Sequence, residues 1–245
     1  MHMRLLALMA YASIASLILT AFSEDVPAVN QLSAQEKKEG WKLLFDGKTL
    51  QGWHLYNQGN KPSVWRVDKG ELQCVPNGTG STLEHGDLVT DQTYSNFDLK
   101  FEWKISKAGN SGVFINVVER KDIPTAWASG PEYQLLEPSH YDYNADPKKR
   151  AGCLYGFAPQ KNEAVTKPVG EWNQSEIKQK NGKIEFYLNG VLTAEQDLTT
   201  SEWKQKIKNT NFQHFPAFGK ATKGHLALQD WMQGISFRNL KLKEE

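Results

Sequence analysis

Two segments with strict alternation of apolar and polar residues constrain the fold more than any other feature of this chain. In residues 99–105, apolar side chains alternate with charged ones, so that a strand would have one apolar and one charged face. Residues 184–188 repeat the pattern and end at Asn189 and Gly190, a dipeptide typical of a tight hairpin turn. Both segments therefore predict antiparallel strands with one face in a core and the other in water.

Further short segments rich in apolar, β-branched and aromatic residues are bounded by glycine, asparagine, aspartate or proline. They are WKLLF, SVWRV, GELQC, SGVFINVV, EYQLL, CLYGF, SEIKQ, VLTAEQ, HLALQ and GISFRNLKL. Strands at this density are typical of a β-sandwich or barrel.

A short helix is predicted near residues 33–40, where Ser33 and Glu36 have the capping-box spacing. A second is predicted at Ser201–Lys208, with Ser201 as its cap.

The N-terminus has the pattern of a secretory signal peptide. Arg4 precedes an apolar run over residues 5–22, and small residues lie around Ser23. A transmembrane anchor is the alternative, but the run is short for a bilayer span and no basic residues follow it directly. We expect a signal peptide over 1–23, an N-terminal extension over 24–40 and one β domain over 41–245. The mature protein would be periplasmic or secreted and free of the membrane.

Charge and cysteine content set further bounds. The chain has 29 Lys and Arg against 28 Asp and Glu, and loss of Arg4 with the signal peptide would balance them. Such a surface gives no reason to expect nucleic acid or an anionic membrane as partner. In an exported protein Cys74 and Cys153 could form a disulfide or remain two buried thiols, and their spacing leaves both possibilities open.

An ordered set of segments carries a resemblance to a known family. The segments are LFDGKTLQGW (44–53), VWRVDKGEL (64–72), NFDLKFEWKI (96–105), GNSGVFI (109–115), GPEYQLLE (130–137), LYG (154–156), KPVGEWN (167–173), YLNG (187–190), and LALQD with FRNLKLK (226–243). In these segments the chain resembles the 3-keto-disaccharide hydrolase domain family over nearly all of its mature length. The resemblance implies an all-β fold, a concanavalin A-like jelly-roll sandwich of two antiparallel sheets. It also implies exported saccharide processing, in which a sugar already oxidised at C3 loses its glycosidic bond.

A 3-keto sugar permits cleavage by elimination. The C3 carbonyl acidifies the hydrogen on C2, so a base can remove it, the aglycone leaves from C1, and water can then add to the resulting enone. Such a site needs a base near C2, a donor or metal for the enolate oxygen, and an acid for the leaving group.

Glu132 is the first candidate for the base, because an acidic residue inside the apolar-flanked strand EYQLL is well explained by a site. If it faces a binding surface, Gln134 lies beside it, and Tyr133 and Leu135 turn into the core. The alternative is an ordinary solvated position on the outer face of a sheet. His140, in the loop after this strand, is the second catalytic candidate, with a surface histidine as its alternative.

The candidate substrate-binding residues are amides, an indole and a carboxylate. Asn110, in GNSG, could bind sugar hydroxyls or simply belong to a turn, and Gln134 joins the set through its place beside the predicted base. Trp172 could stack on a pyranose with Asn173 binding its hydroxyls, or it could be a core tryptophan. Gln229 and Asp230 end an apolar strand, where polar groups often line a cleft.

The chain departs from the family pattern at two positions. Trp231 stands where the pattern LQDHG has a histidine, and Asn116 stands where a basic residue is common. We therefore expect a substrate preference that differs from that of relatives which keep both residues.

A divalent cation could stabilise the enolate more strongly than hydrogen bonds. Oxygen and nitrogen donors for one are present on Glu132, Glu102, His140 and Asp230. Their spacing is not diagnostic, and no CxxC, HExxH or His-rich cluster occurs, so the sequence predicts no specific metal site.

Two other functions remain open from sequence. A lectin-like carbohydrate-binding module needs aromatic and amide groups but no catalytic acid, and fold does not fix function. A conventional glycosidase would need a second carboxylate opposite Glu132, for which Glu102 and Glu137 are candidates.

Overall fold

The computed structural model describes residues 27–75, 82–231 and 234–245. The predicted signal peptide lies outside these ranges. In chain order the described strands are β1 (Lys42–Leu43), β2 (Trp53–Leu55), β3 (Trp65–Asp68), β4 (Glu71–Cys74), β5 (Leu88–Thr90), β6 (Phe97–Ile105), β7 (Asn110–Val117), β8 (Glu132–Leu136), β9 (Asn173–Lys180), β10 (Lys183–Leu188), β11 (Val191–Asp197), β12 (His225–Leu228) and β13 (Ile235–Glu244). Within the described ranges, we find no helix with the length and apolar character that a bilayer crossing requires.

The strands form two antiparallel sheets. The larger has the order β11-β10-β9-β6-β13-β4-β3, with β1 also paired to β13, and the smaller has the order β2-β5-β12-β7-β8. Their apolar faces pack together into one large core. The predicted all-β sandwich of two antiparallel sheets is confirmed.

Local sequence patterns explain several of these elements. The apolar side chains of β6 are buried, and its charged residues at positions 100, 102 and 104 are partly exposed, as the alternation predicts, whereas Asp98 near the start of the strand is buried. The β10–β11 hairpin turns at Asn189 and Gly190, whose φ angles are 48° and 83°. Two consecutive residues with positive φ are what a type I′ hairpin turn requires, and asparagine followed by glycine adopts them most readily.

Buried polar contacts join the two sheets. Ser175 Oγ of the larger sheet lies 2.9 Å from Trp103 Nε1, which donates to it, and 2.7 Å from the Tyr133 hydroxyl of the smaller sheet. Asn116 and Gln179 also pair across the sandwich, with Asn116 Nδ2 donating to Gln179 Oε1 at 2.6 Å. Because Asn116 is buried in this pair, it faces the interior of the sandwich. Satisfied polar groups of this kind fix the register of one sheet on the other.

The described part of the chain also has three short α-helices outside the sheets: α1 (Ala34–Lys38), α2 (Tyr141–Ala145) and α3 (Ser201–Lys208). The capping box of α1 is confirmed, with Ser33 accepting from Glu36 N–H and the Glu36 carboxylate accepting from Ser33 N–H. Helix α3 has the predicted range, but its cap is Thr200, so the prediction of Ser201 was wrong. Thr200 Oγ1 accepts from the Trp203 N–H, three residues on, which is the donor that a cap must satisfy.

The two cysteines are buried and free, so no disulfide joins them in this structure. Cys74 Sγ donates to Asp230 Oδ1 at 3.3 Å, and Cys153 Sγ donates to the Pro147 carbonyl at 3.5 Å. Burial raises the pKa of Cys153 to about 12, so this thiol is protonated at neutral pH.

The edge of the smaller sheet carries a histidine held between two carboxylates. His54 Nδ1 lies 2.6 Å from Asp91 Oδ1, and its Nε2 lies 2.8 Å from Glu119 Oε2. Burial lowers the pKa of His54, but the hydrogen bonds and charges of Glu119 and Asp91 outweigh burial and raise it above 6.5. These contacts tie β2 to the segment that follows β7.

Replacing His54 with glutamine should therefore cost more stability in mild acid than in alkali. A histidine whose folded pKa is raised stabilises the fold fully below its unfolded pKa, and the contribution disappears as pH rises through the folded pKa. We expect the melting-temperature difference between the native protein and His54→Gln to be larger at about pH 5.5 than at about pH 8.5. An equal difference at both values would contradict a charged His54 in the folded state.

Candidate active site

A polar site lies on the face of the smaller sheet that is turned away from the larger sheet. Glu132 and Gln134 of β8 line a cleft on this face, whereas Tyr133 and Leu135 between and beyond them are fully buried in the core. The period-two geometry of a strand produces this division. Glu132 and Gln134 thus lie side by side on one surface, as the alternation predicts.

Glycine at position 112 makes room for the Glu132 side chain. Gly112 pairs with Gln134 across β7 and β8, and a Cβ atom at position 112 would lie 2.1 Å from Glu132 Oε1. The carboxyl group of Glu132 therefore lies against the backbone of β7, in space that any other residue would fill.

The Gln134 amide supports the Glu132 carboxyl. Amide orientations follow from the surrounding donors and acceptors. With its nitrogen towards β7, Gln134 donates to Glu132 Oε1 at 2.8 Å and to the Ser111 carbonyl at 3.2 Å. Its oxygen then faces the Asn110 side-chain amide, 3.0 Å away. This chain of amides fixes the orientation of Glu132.

Burial makes Glu132 a weak acid. The residue is 8 % exposed, and burial raises its pKa well above the usual range, with a smaller contribution from the negative charge of Asp87. Burial also raises the pKa of Asp87 to about 7; the N–H of Asp230 opposes this by donating to Asp87, and the Asp230 charge adds to it. Strongly shifted carboxyl groups in a cleft are typical of functional sites.

The ends of β12 and β5 extend the polar site across the sheet. Gln229 N–H donates to the Gly112 carbonyl at 2.9 Å, and Asp230 N–H donates to Asp87 Oδ1 at 3.1 Å. In the part of the chain that the structure describes, Gln229 Oε1 is buried and has no hydrogen-bond partner. A buried polar atom in this state is costly unless a ligand or water satisfies it, so Gln229 is a candidate for substrate contact.

The cleft that contains Glu132 has a volume of about 680 Å³, which is within the usual range for small-molecule sites. Its lining combines aromatic, amide and charged side chains. The residues are Asn110, Trp127, Glu132, Gln134, Tyr141, Asp142, Lys148, Lys149, Tyr155, Gly156, Asn209, Thr210, Asn211, Phe212, Phe215, Gln229 and Trp231. Trp127 and Phe215 form an edge-to-face pair with ring centroids 4.6 Å apart. Aromatic walls with polar groups between them suit a pyranose, which has apolar faces and hydroxyl edges.

Tyr155 and Lys149 are two further donors that line the same cleft as Glu132. Tyr155 N–H donates to the Glu132 carbonyl at 3.1 Å, which places the two residues next to each other. Burial raises the pKa of Tyr155, the charge of Glu132 adds to this, and Lys149 opposes it. Lys149 Nζ in turn donates to Asp142 Oδ1 at 2.8 Å. The cleft therefore contains an acidic side chain and two donors within one small volume.

The structure does not bring the other catalytic candidate, His140, into the cleft lining, although Tyr141 and Asp142 belong to it. His140 is the N-cap of α2, and its Nδ1 accepts from Asp142 N–H at 3.1 Å. It is 7 % exposed and its ring packs on that of Tyr141. The geometry gives His140 a local structural role.

Trp172 and Asn173 also lie away from the cleft. Asn173 begins β9 in the larger sheet, and its Oδ1 accepts from Lys167 N–H at 2.7 Å. The Trp172 ring packs against Lys104 and Arg238, whose cationic groups lie 4.7 and 4.1 Å from its centroid. Trp172, which directly precedes β9, therefore packs on the larger sheet and does not line the cleft that contains Glu132. Asn110, Gln134 and Gln229 do line the cleft, and Asp230 lines an adjoining cavity.

The carboxylates considered as partners of Glu132 have other contacts. Glu102, on the larger sheet, accepts from Arg238 Nε at 2.6 Å and from Asn239 Nδ2 at 3.1 Å. Glu137 Oε2 accepts from Ala108 N–H at 2.6 Å and so closes a loop. Among the described side chains, no group of three or more His, Cys, Asp or Glu has an arrangement that could hold a metal ion.

Sequence reasoning missed Asp87 and gave no role to Tyr155, Trp127 or Phe215. Asp87 directly precedes β5, and a polar residue at the end of an apolar strand is the same signal that singled out Gln229 and Asp230. The pairing of β5 with β12 brings the two strand ends together, and this pairing is not visible in the sequence. The aromatic residues come from loops, whose positions depend on the whole fold.

Comparisons with known proteins show which family the chain resembles. The model of the 3-keto-alpha-glucoside-1,2-lyase-like domain matches residues 40–243. A 3-keto-disaccharide hydrolase of Bacteroides thetaiotaomicron is 30 % identical over 251 aligned positions, covering 92 % of this chain and 86 % of the relative. A solved structure from Parabacteroides distasonis, provisionally assigned as a glycosyl hydrolase, is 32 % identical, with a TM-score of 0.80 over 89 % of this chain and 100 % of that one. A second such structure from that organism is 25 % identical, with a TM-score of 0.62 over 84 % and 99 %.

The family match spans every strand except the last residue of β13 and includes every residue of the cleft. The resemblance found in the sequence is thereby confirmed, and the chain belongs to the 3-keto-alpha-glucoside-1,2-lyase-like domain family of carbohydrate-acting enzymes.

Proposed function

We propose that this chain is an exported enzyme that cleaves 3-keto-glycosides or 3-keto-disaccharides by proton abstraction at C2 and elimination of the aglycone from C1. The observation that carries the proposal is Glu132, a buried carboxyl group with a strongly raised pKa in a sugar-sized cleft. The family to which the chain belongs, and the name of its relative from Bacteroides thetaiotaomicron, support a 3-keto sugar as the substrate.

The environment of Glu132 suits a base that must remove a proton from carbon. A carboxylate with an ordinary pKa is a weak base at neutral pH, whereas burial brings its proton affinity closer to that of the carbon acid. Gln134 fixes the orientation of the carboxyl by donating to Oε1. Activity should accordingly depend on the ionised form of Glu132 and fall as pH is lowered.

The enolate that forms at the C3 oxygen needs donors in place before the reaction. Tyr155 and Lys149 line the same cleft as Glu132 and can donate to that oxygen. The aromatic pair of Trp127 and Phe215 can hold the apolar face of the ring. A base, two hydrogen-bond donors for the C3 oxygen and an aromatic surface for the sugar ring make up most of what the elimination requires.

The same observations favour catalysis over a lectin-like binding module. Binding of hydroxyl groups does not need an acidic side chain that is buried against a glycine, and burying such a group destabilises the fold. A carboxyl group held at this cost is explained by a chemical role. For a conventional glycosidase, the two proposed partner carboxylates, Glu102 and Glu137, are engaged elsewhere.

The test uses purified mature protein with three glucosides of one aglycone: the 3-keto compound, the same compound deuterated at C2, and the unoxidised parent. We expect cleavage of the keto compound, slower cleavage of its deuterated form, and none of the parent. A chelator is added in a parallel series to report on any dependence on metal. Equal rates for the protonated and deuterated compounds would argue against rate-limiting abstraction at C2, and cleavage of the parent would indicate ordinary glycoside hydrolysis.

A further inference from the structure

A second cavity adjoins the cleft that contains Glu132. It has a volume of about 420 Å³ and shares Trp127, Gln229 and Trp231 with that cleft. Because three lining residues are common to both, the cavities are two lobes of one groove. We refer to them as the Glu132 lobe and the His85 lobe. The His85 lobe is also lined by Tyr56, His85, Asp87 and Asp230.

A buried carboxylate orients the histidine of the second lobe. His85 Nδ1 lies 2.7 Å from Asp230 Oδ2, and the side chains of His85 and Asp230 are 43 % and 3 % exposed. The same Asp230 oxygen accepts from Gly86 N–H at 3.0 Å. A carboxylate that accepts from a backbone N–H and lies within hydrogen-bond distance of one ring nitrogen holds an imidazole in a defined orientation, as in hydrolase triads.

The His85 lobe and the Glu132 lobe are joined across the sheet by hydrogen bonds of Gln229 and Asp230. The N–H of Asp230 donates to Asp87 Oδ1 at 3.1 Å, and the charge of Asp87 in turn acts on Glu132. Gln229, which precedes Asp230, donates its N–H to Gly112, directly beneath the Glu132 carboxyl. One substrate can therefore contact both lobes, with Gln229 and the two tryptophans between them.

The two lobes correspond to the two demands that elimination makes. Removal of the proton from C2 requires a base, and departure of an alkoxide from C1 requires a proton donor on the other side of the breaking bond. Glu132 meets the first demand, and a separate donor on the aglycone side allows the leaving oxygen to be protonated while the C1–O bond breaks. The tyrosine and lysine beside it are occupied by the C3 oxygen.

We propose that His85, positioned by Asp230, is the general acid that protonates the leaving oxygen, and that the His85 lobe holds the aglycone. This inference rests on the proposed function. As the C2–H electron pair forms the C1–C2 double bond, the C1–O bond breaks and its pair stays on oxygen, which takes a proton from the imidazolium of His85. Glu132 keeps the C2 proton, so atoms and charge balance without a further reactant. Tyr56, Trp127 and Trp231 give the aglycone lobe an aromatic lining that suits a second sugar or a phenol.

The test compares leaving groups of different basicity. A nitrophenolate leaves without help, whereas a methoxide or a sugar alkoxide needs a proton. For His85→Asn we expect the cleavage of methyl 3-keto-glucoside to fall by about 10²–10⁴-fold and that of the nitrophenyl 3-keto-glucoside to fall only a few-fold. His54→Asn is the matched control, since His54 is also held by carboxylates on the same sheet but lines neither lobe; its ratio of the two rates should equal that of the native protein.

A second variant separates chemistry from folding. His85→Ala leaves space for a small base, and added imidazole should restore cleavage of the methyl compound while leaving that of the nitrophenyl compound unchanged. Equal losses for both substrates in His85→Asn, or no loss in either, would overturn the acid role. If the native protein cleaves neither keto compound, the proposed function fails and the acid role fails with it. If the native protein cleaves both, the proposed function stands, and the His85 variants test the acid role alone.

Discussion

The Glu132→Gln variant should lose cleavage of 3-keto-glycosides by about 10²–10⁴-fold, because an amide of the same shape cannot accept the C2 proton. Its affinity for the keto substrate should change much less, since the variant keeps the shape of the cleft. The measurement is the turnover rate with substrate binding determined in parallel by calorimetry. A variant that retains turnover would remove Glu132 from the role of base.

The same substitution should make the protein more stable. Burial raises the pKa of Glu132 well above its usual range, so the folded protein binds this proton more tightly than the unfolded chain does. The folded state therefore loses stability as pH rises from the unfolded pKa towards the folded one, and glutamine removes that loss. At about pH 8 each kcal/mol regained would raise the melting temperature by about 2–4 °C. Gain of stability with loss of activity is the pattern expected of a functional group held at a structural cost.

Gly112→Ala should abolish activity nearly as completely, although residue 112 has no chemistry of its own. Its Cβ would lie 2.1 Å from Glu132 Oε1 and 2.8 Å from both Cδ and Cγ of the same side chain. The carboxyl must leave its position, or the strands must separate. We expect a loss of turnover of about 10²-fold or more with a destabilisation of about 1–3 kcal/mol.

The double variant Gly112→Ala with Glu132→Ala isolates the cause. The three atoms nearest to the added Cβ all belong to Glu132, so removal of that side chain should relieve the stability cost of alanine at position 112. Thermal unfolding of both single variants and the double variant gives the interaction energy, expected at about 0.5–3 kcal/mol. Strict additivity would show that alanine at 112 acts on the backbone rather than on Glu132.

The sandwich and the location of Glu132 could be predicted because both follow from local patterns. Alternation in β6 and β10 determines which residues face the core, and the same rule places Glu132 and Gln134 on one surface. Ordered family segments then give the fold class. Even the cap of α3 was wrong by only one residue, which is the usual scale of error at helix ends.

Gln134 beside Glu132 could be predicted, but neighbours such as Asp87 and Tyr155 could not, because their positions depend on contacts between distant parts of the chain. Asp87 and Asp230 meet only through the pairing of β5 and β12, and Trp172 lies far from the cleft because the strand that it precedes, β9, belongs to the larger sheet. Polar residues at strand ends and aromatic residues in loops look alike in sequence whether they line a cleft or contact water. Strand order is the information that the sequence does not supply locally.

Strand β8 is the last strand of the smaller sheet, and an unpaired sheet edge is a site where another chain can add a strand. The segment 152–155 covers this edge: Gln134 N–H donates to the Cys153 carbonyl at 3.1 Å, and Gly152 and Tyr155 donate back to β8 at 2.8 and 3.1 Å. The contacts that block edge-to-edge aggregation are thus the ones that bring Tyr155 beside Glu132. Protection of the sheet edge and the arrangement of the candidate active site are therefore coupled in this protein, and a change that loosens segment 152–155 would affect both at once.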